Sequence, residues 1–239
     1  MKFYRFFYIY IAFCLGFILF GCAHKPKVAT QPPASFTQSF AQSKAQLKKV
    51  YKAQNFHTEF YCGIDFNPHT LALLPSPNYT PRNPLTKTGK VNVRTTRIEF
   101  EHIMPAHRFG KDLKCWKNGG RKACARDKQF MQMESDKRNL VPAIGEINAD
   151  RSNFAYADSA HLESQNSKQY GKCDVYTDFK HKKFYPRKSE RGIIARIYLY
   201  MSERYNITLS AEEEKLMRKW DKLYPPTPYE QKLIATQQP

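Results

Sequence analysis

An acid beside an imidazole closes one short alternating run: Glu101-His102, within RIEFEHIMPAH at residues 97–107. Those two side-chain types suit one kind of hydrolysis. Breaking a phosphodiester takes a base to activate water and a cation to neutralise charge growing on the phosphate and the leaving oxygen. One imidazole and one hard divalent ion supply both. An ion such as Mg²⁺ prefers oxygen ligands and keeps several waters, so a carboxylate plus an amide oxygen is a sufficient contribution from the protein. Taken alone the pair is a weak signal, because a surface or structural histidine is the commoner use of the residue. Adjacent residues of a strand also point to opposite faces. Serving one site therefore asks the chain to bend there, next to Met104-Pro105.

The elements around the pair read as α+β, with helices and short strands segregated along the chain. Arg94 to His102 alternates as a strand, with Ile98 and Phe100 on one face and Arg97, Glu99 and Glu101 on the other. Residues 68–88 carry five prolines and no periodicity, a loop. A helix is expected from Gln42 to about Tyr51 and another from Arg126 to Asp136. Asn139 to Val141 is a short apolar run halted by Pro142, and Gly145 to about Asn153 suits a helix. Arg191 to Tyr205 has helical spacing in Ile194, Ile197, Tyr198 and Met201. Ser210 with Glu213 forms a capping box for a last helix that ends at Pro225.

The start of the chain points out of the cytoplasm. Lys2 and Arg5 precede an uncharged apolar run from Phe6 to Phe20. This is the layout of a signal peptide over residues 1–21, and the run is short for a membrane span of about 20 residues. Leu19-Phe20-Gly21-Cys22 reads as a lipobox, with a lipid anchor on Cys22, although its Phe is atypical; cleavage near Ala23 and a retained anchor are the other endings. Residues 22–41, rich in Pro, Ser, Thr and Gln, form a tether, and 42–239 a single domain.

The formal charge of +18 falls to +16 when Lys2 and Arg5 leave with the signal peptide. Such an excess suits a polyanion, since neutralising phosphates releases counterions. A basic envelope protein resting on anionic lipid or polysaccharide has the same charge, so composition leaves both open. Cys62, Cys115, Cys124 and Cys173 remain beyond the leader, and an even number in an oxidising compartment suggests two disulfides. Of three pairings, one closes the Gly-rich turn between Cys115 and Cys124 and leaves Cys62 to Cys173. No CxxC or HxxxH spacing argues for zinc. No Gly-rich nucleotide loop or nucleophilic Ser or Cys signature is present, which argues against covalent catalysis.

Four blocks carry a resemblance: RTTRIEFEHIMPAHRFG, CWKNGGRKAC, MESDKRNLVPAIGEINADRSNF and RGIIARIYLYMSERYNITLS. They resemble, in consistent order from about residue 42 to 230, the bacterial endonuclease I family, periplasmic or secreted nucleases with a ββα-metal (His-Me finger) active site. The resemblance implies His102 as general base, its ordinary pKa of about 6.5 leaving it able to accept a proton. It implies Glu101 and Asn148 as ligands of Mg²⁺ or another hard divalent cation such as Mn²⁺ or Ca²⁺. It implies Arg121 as the guanidinium that holds the scissile phosphate. Asn139 is a rival to Asn148, read here as a brace for the motif. The family's FYCGC is Cys62-Gly63-Ile64 here, and further family cysteines near Gly89 and Gln231 are absent, which touches packing rather than the four site positions.

The expected function is an exported, sequence-nonspecific endonuclease. It would act on DNA, and on RNA as a second substrate, as a monomer bound through backbone phosphates, leaving 5′-phosphate ends. The alternative is a non-catalytic nucleic-acid-binding envelope lipoprotein; a structural lipoprotein leaves the Glu101, His102, Arg121 and Asn148 set unexplained. His57, His69, His107, His161 and His181 read as surface residues, and Asp150-Arg151 as a buried pair or a phosphate contact. Lys48-Lys49 and KHKK at 180–183 read as solvated runs or phosphate trackers.

Overall fold

A computed structural model describes residues 38–158 and 169–238. The leader, Cys22, most of the expected tether and His161 lie outside the described residues. The elements run α1 (Phe40–Gln54), β1 (Ile98–His102), α2 (Ala106–Gly110), α3 (Lys114–Lys117), α4 (Gly120–Ala123), α5 (Lys128–Glu134), β2 (Leu140–Ile144) and α6 (Gly145–Arg151). They continue with β3 (Ala155–Tyr156), β4 (Tyr176–Asp178), β5 (Lys183–Tyr185), α7 (Lys188–Tyr205), α8 (Ala211–Leu223) and α9 (Pro228–Thr236). This is one α+β domain in which β1 pairs antiparallel with β2, and α6 follows β2 directly. A second small sheet has the order β3-β5-β4.

Local signals explain most of these elements. Ser39 and Gln42 form a reciprocal capping box, so α1 starts two residues before the expected start at Gln42, taking Phe40 and Ala41 from the tether. Ser43, Leu47 and Tyr51, one turn apart, form its buried stripe, and Tyr51 stacks on Phe100 of β1 at 5.9 Å. Ser210 and Glu213 cap α8 as the sequence predicts. The expectation stops too early at Pro225. Thr227 caps α9 by accepting from Glu230 N, with Pro228 in its first turn, and both start signals stand in the sequence.

Two expectations about strands need correcting. Val93–Thr96 is a 3-10 turn rather than the start of β1, its entry set by Asn92, whose side chain accepts from Arg94 N. Pro142 does not halt β2 but sits opposite Phe100 in its middle. Gly145 N bonds Arg97 O and Ile103 N bonds Asn139 O, so the alternation of an antiparallel ladder leaves Pro142 at a position with no bond to β1. Its carbonyl instead accepts from Phe60 N on the other side at 2.8 Å. The missing N–H costs the ladder nothing.

Cys62 is bonded to Cys173 and Cys115 to Cys124. The two span very different lengths of chain, 111 and 9 residues. Loop-closure entropy then predicts about 5 kcal/mol from the first and about 3 kcal/mol from the second, as ceilings. Cys62→Ser/Cys173→Ser is therefore expected to lower the melting temperature more than Cys115→Ser/Cys124→Ser does. Equal or reversed losses in thermal scans would contradict that ordering.

Candidate active site

Five consecutive residues of β1, Ile98 to His102, line one cavity of about 940 Å³. Among the described residues, the edge of β1 away from β2 is bonded to other main chain only at its start, where Ile98 N donates to Leu71 O at 2.8 Å. The bend expected between Glu101 and His102 does not occur: the ladder continues unbroken to Ile103, and both residues line the cavity. The chain turns only at Met104, where the buried Asn139 side chain accepts from Met104 N at 2.7 Å and donates to Met104 O at 2.9 Å. Asn139 braces that turn. Asn148, unlike Asn139, lines the cavity, together with Glu101, His102 and Arg121.

His102 is nearly buried, and its Nε2 lies 2.8 Å from the main-chain oxygen of Glu134. A carbonyl can only accept, so Nε2 carries the proton and Nδ1 is left as the basic nitrogen. Phe40 packs its ring 4.7 Å from the imidazole. Burial, reinforced by the positive charges of Arg121, Arg151 and Lys44, pushes the His102 pKa down to about 3, so the ring is neutral.

Glu101 is clamped from the other side. Arg151 Nη1 donates to Oε1 at 2.8 Å, and the Tyr61 hydroxyl donates to the same oxygen at 3.2 Å. Arg151 is fully buried and donates as well to the carbonyls of His102 and Ile103. One guanidinium thus ties the carboxylate to the main chain of its neighbours, with its plane 4.6 Å from the Tyr156 ring. Burial raises the Glu101 carboxyl to about 7 against the pull of Arg151 and Tyr61. The expected Asp150-Arg151 pair does not form. Neighbours on a helix face different ways, and Asp150 turns to Arg82 and Tyr170 instead.

Asn148 donates from Nδ2 to Glu99 Oε2 at 3.1 Å, and Glu99 is also held by Arg94 and Arg97. Gly145 lets α6 start this close to β1: a Cβ there would lie 2.8 Å from the Arg94 carbonyl and 3.0 Å from the Glu99 carboxyl carbon. Arg121 is about half exposed and donates from Nε to Glu134 Oε1 at 2.6 Å. Glu134 is thus the common support, its carbonyl fixing the His102 imidazole and its carboxylate the Arg121 guanidinium. Lys44 and Lys48 add positive charge to the cavity wall. Of the basic run Lys48-Lys49, only Lys48 is placed there.

The donor set also discriminates between metals. Among the described residues no three His, Cys, Asp or Glu side chains are grouped to hold an ion, so there is no closed zinc-type cage. One carboxylate and one amide oxygen on a cavity wall, with the rest of the shell left to water and phosphate, fit a hard divalent cation. A cation at Glu101 would also favour the ionised carboxylate that burial disfavours.

The sequence matches the family model described as Endonuclease I over residues 39–235. The chain belongs to the endonuclease I family. Among curated relatives, an extracellular deoxyribonuclease of Aeromonas hydrophila is 39% identical over 219 residues, 90% of this chain and 86% of its own length. A periplasmic deoxyribonuclease of the same organism is 40% identical over 88% of this chain and 85% of its own. Endonuclease-1 of Buchnera aphidicola subsp. Acyrthosiphon pisum is 44% identical over 81% of this chain and 73% of its own. For an endonuclease I family member, two supports of the site escape sequence reasoning. Arg151 had a signal, its i+3 spacing from Asn148, which places both on one helix face. Glu134 had none for its carbonyl, since every residue carries one.

Proposed function

We propose that this chain is an exported endonuclease that hydrolyses DNA phosphodiesters without reading sequence. The observation that carries the reading is the Nε2 contact of His102 with the Glu134 carbonyl, which leaves Nδ1 as a neutral base in a cavity shared with Glu101, Asn148 and Arg121. In this reading His102 Nδ1 takes the proton of the attacking water. Arg121 meets the scissile phosphate with paired N–H donors, its Nε bond to Glu134 keeping the fork aimed. Burial is the main cause of the low imidazole pKa, and phosphate binding offsets the positive charges that add to it, which makes the ring a better base when substrate is present. Glu101 and Asn148 would hold the divalent cation. When bound, it neutralises charge on the phosphate and the leaving oxygen. Cleavage on the 3′-oxygen side leaves 5′-phosphate ends.

Export is supported by the relatives named extracellular and periplasmic deoxyribonucleases and by the two disulfides, which persist in oxidising compartments. Lipid attachment at Cys22, RNA as a second substrate and a monomeric state complete the proposal. Contacts through Lys and Arg to backbone phosphates position nucleic acid without specifying it, so binding should weaken steeply as salt rises. The decisive experiment incubates the purified protein with supercoiled plasmid and Mg²⁺. Nicked and linear products that disappear with EDTA are expected. A well-folded protein that binds plasmid but leaves it intact would instead favour the non-catalytic binding reading.

A further inference from the structure

A second basic and aromatic surface adjoins the cleft and has no part in the hydrolysis described above. Phe179 stands in the turn between β4 and β5 and is 44% exposed. The Arg82 guanidinium lies over its ring at 4.6 Å, and Phe154 meets it edge-on at 6.2 Å. Neither arginine nor turn is loosely held. Asp150 grips Arg82 at Nε and Nη2, at 2.9 and 2.6 Å, and the Tyr170 hydroxyl fixes Asp150 in turn. Asp178 accepts from His181 N at 2.9 Å and contacts His181 Nδ1 at 2.7 Å. The carboxylate nearest this turn in the chain is therefore spent internally, while Lys180 and Lys182 are exposed.

The chain links this surface to the cleft at two points. Ser152 and Asn153 at the end of α6 line the cavity, and Phe154 is the next residue. On the other rim Arg94 lines the cavity, and Asn92, two residues before it, bonds Asn83 O beside Arg82. Beyond the α6 end of the cleft, Phe154 follows Asn153 in the chain and touches Phe179. An aromatic ring with a fixed guanidinium on one face and lysines around it matches the chemistry of a nucleotide, a π-face flanked by phosphates. Bases of an intact duplex are already stacked on one another, so the partner this ring selects is an unpaired base.

We infer that Phe179, backed by Arg82 and flanked by Lys180 and Lys182, is a subsite that stacks an unpaired base of the nucleic acid a few nucleotides from the cleaved bond. The inference rests on the nuclease reading and deepens it, by naming single-stranded or frayed nucleic acid as a preferred occupant.

The test compares the wild type with Phe179→Ala and Phe179→Trp. Affinity for a fluorescein-labelled single-stranded oligonucleotide and for a hairpin-closed duplex is measured by anisotropy in EDTA, and plasmid cleavage is measured in Mg²⁺. Phe179 is exposed, so neither variant threatens the core. Stacking is worth about 1–3 kcal/mol per base, so Phe179→Ala is expected to weaken single-strand binding by about 5- to 150-fold. Duplex binding should change far less, and cleavage at saturating substrate should be unchanged. Phe179→Trp is expected to restore binding and to show indole quenching on adding the single strand. Single-strand affinity within twofold of wild type in Phe179→Ala, with cleavage intact, overturns the subsite while leaving the nuclease reading standing. A wild type that neither binds nor cuts nucleic acid overturns both.

Discussion

Replacing His102 with alanine is expected to slow plasmid cleavage by about 10²- to 10⁴-fold, the usual contribution of a positioned general base. DNA affinity should be nearly unchanged, because Arg121 and the lysines of the cleft remain. The effect is large because the structure offers no substitute. His57, His69, His107 and His181, the other described histidines, do not share the Glu134 contact, and of them only His107 lines the cavity. There it packs edge-on to Trp116 at 5.8 Å. The substitution also strips the Glu134 carbonyl of its donor and opens a small void under Phe40, so a thermal scan must accompany the assay. A folded His102→Ala protein that keeps more than about a tenth of the wild-type rate would remove His102 from the chemistry. The roles of Glu101 and Asn148 as metal ligands would then lose their rationale.

Among single substitutions the largest loss of stability is expected from Arg151→Met. The guanidinium is fully buried and serves three acceptors at once: the Glu101 carboxylate and the carbonyls of His102 and Ile103. Methionine fills similar volume but donates nothing. The carboxyl must then stay protonated in a dry site and two carbonyls lose their partners, a change that costs about 3–5 kcal/mol. For a domain near 200 residues that is a fall of roughly 6–20 °C in melting temperature. Combining Arg151→Met with Glu101→Gln separates the charge from the hydrogen bonds. The double variant should be less destabilised than the sum of the two single changes, because no ionisable group is then stranded. If Arg151→Met melts within about 1 kcal/mol of wild type, the clamp is not what holds the end of β1. Cleavage should fall with it, since the same clamp sets the position of Glu101 and of the main chain that carries His102.

Much of the local structure was legible because it is written in neighbouring residues. The Ser210 and Glu213 capping box, the alternation of Ile98 and Phe100, and the helical spacing through Ile194 and Met201 act over one or two turns of chain. Their partners lie within the window being read. The misses share the opposite property. Pro142 looked like a stop because a proline lacks a donor, yet whether that donor is needed depends on which way the nitrogen points in a ladder with β1, some forty residues away. Asp150 and Arg151 looked like a pair because they are adjacent, while their real partners, Arg82 and Glu101, are set by how α6 rolls against the strand.

The sequence by itself determined the chemistry available: a Glu-His pair, a downstream amide, a basic surface and cysteines in even number, in an order resembling one nuclease family. Tertiary structure alone decided which nitrogen of His102 is basic, which guanidinium faces Glu101, and that Arg121 stays half in solvent on Glu134. The physical reason is range. Residue type and spacing act through a few covalent bonds, whereas the protonation and aim of a buried group depend on donors and acceptors that packing brings together from distant parts of the chain, such as the Glu134 carbonyl and the Arg151 guanidinium.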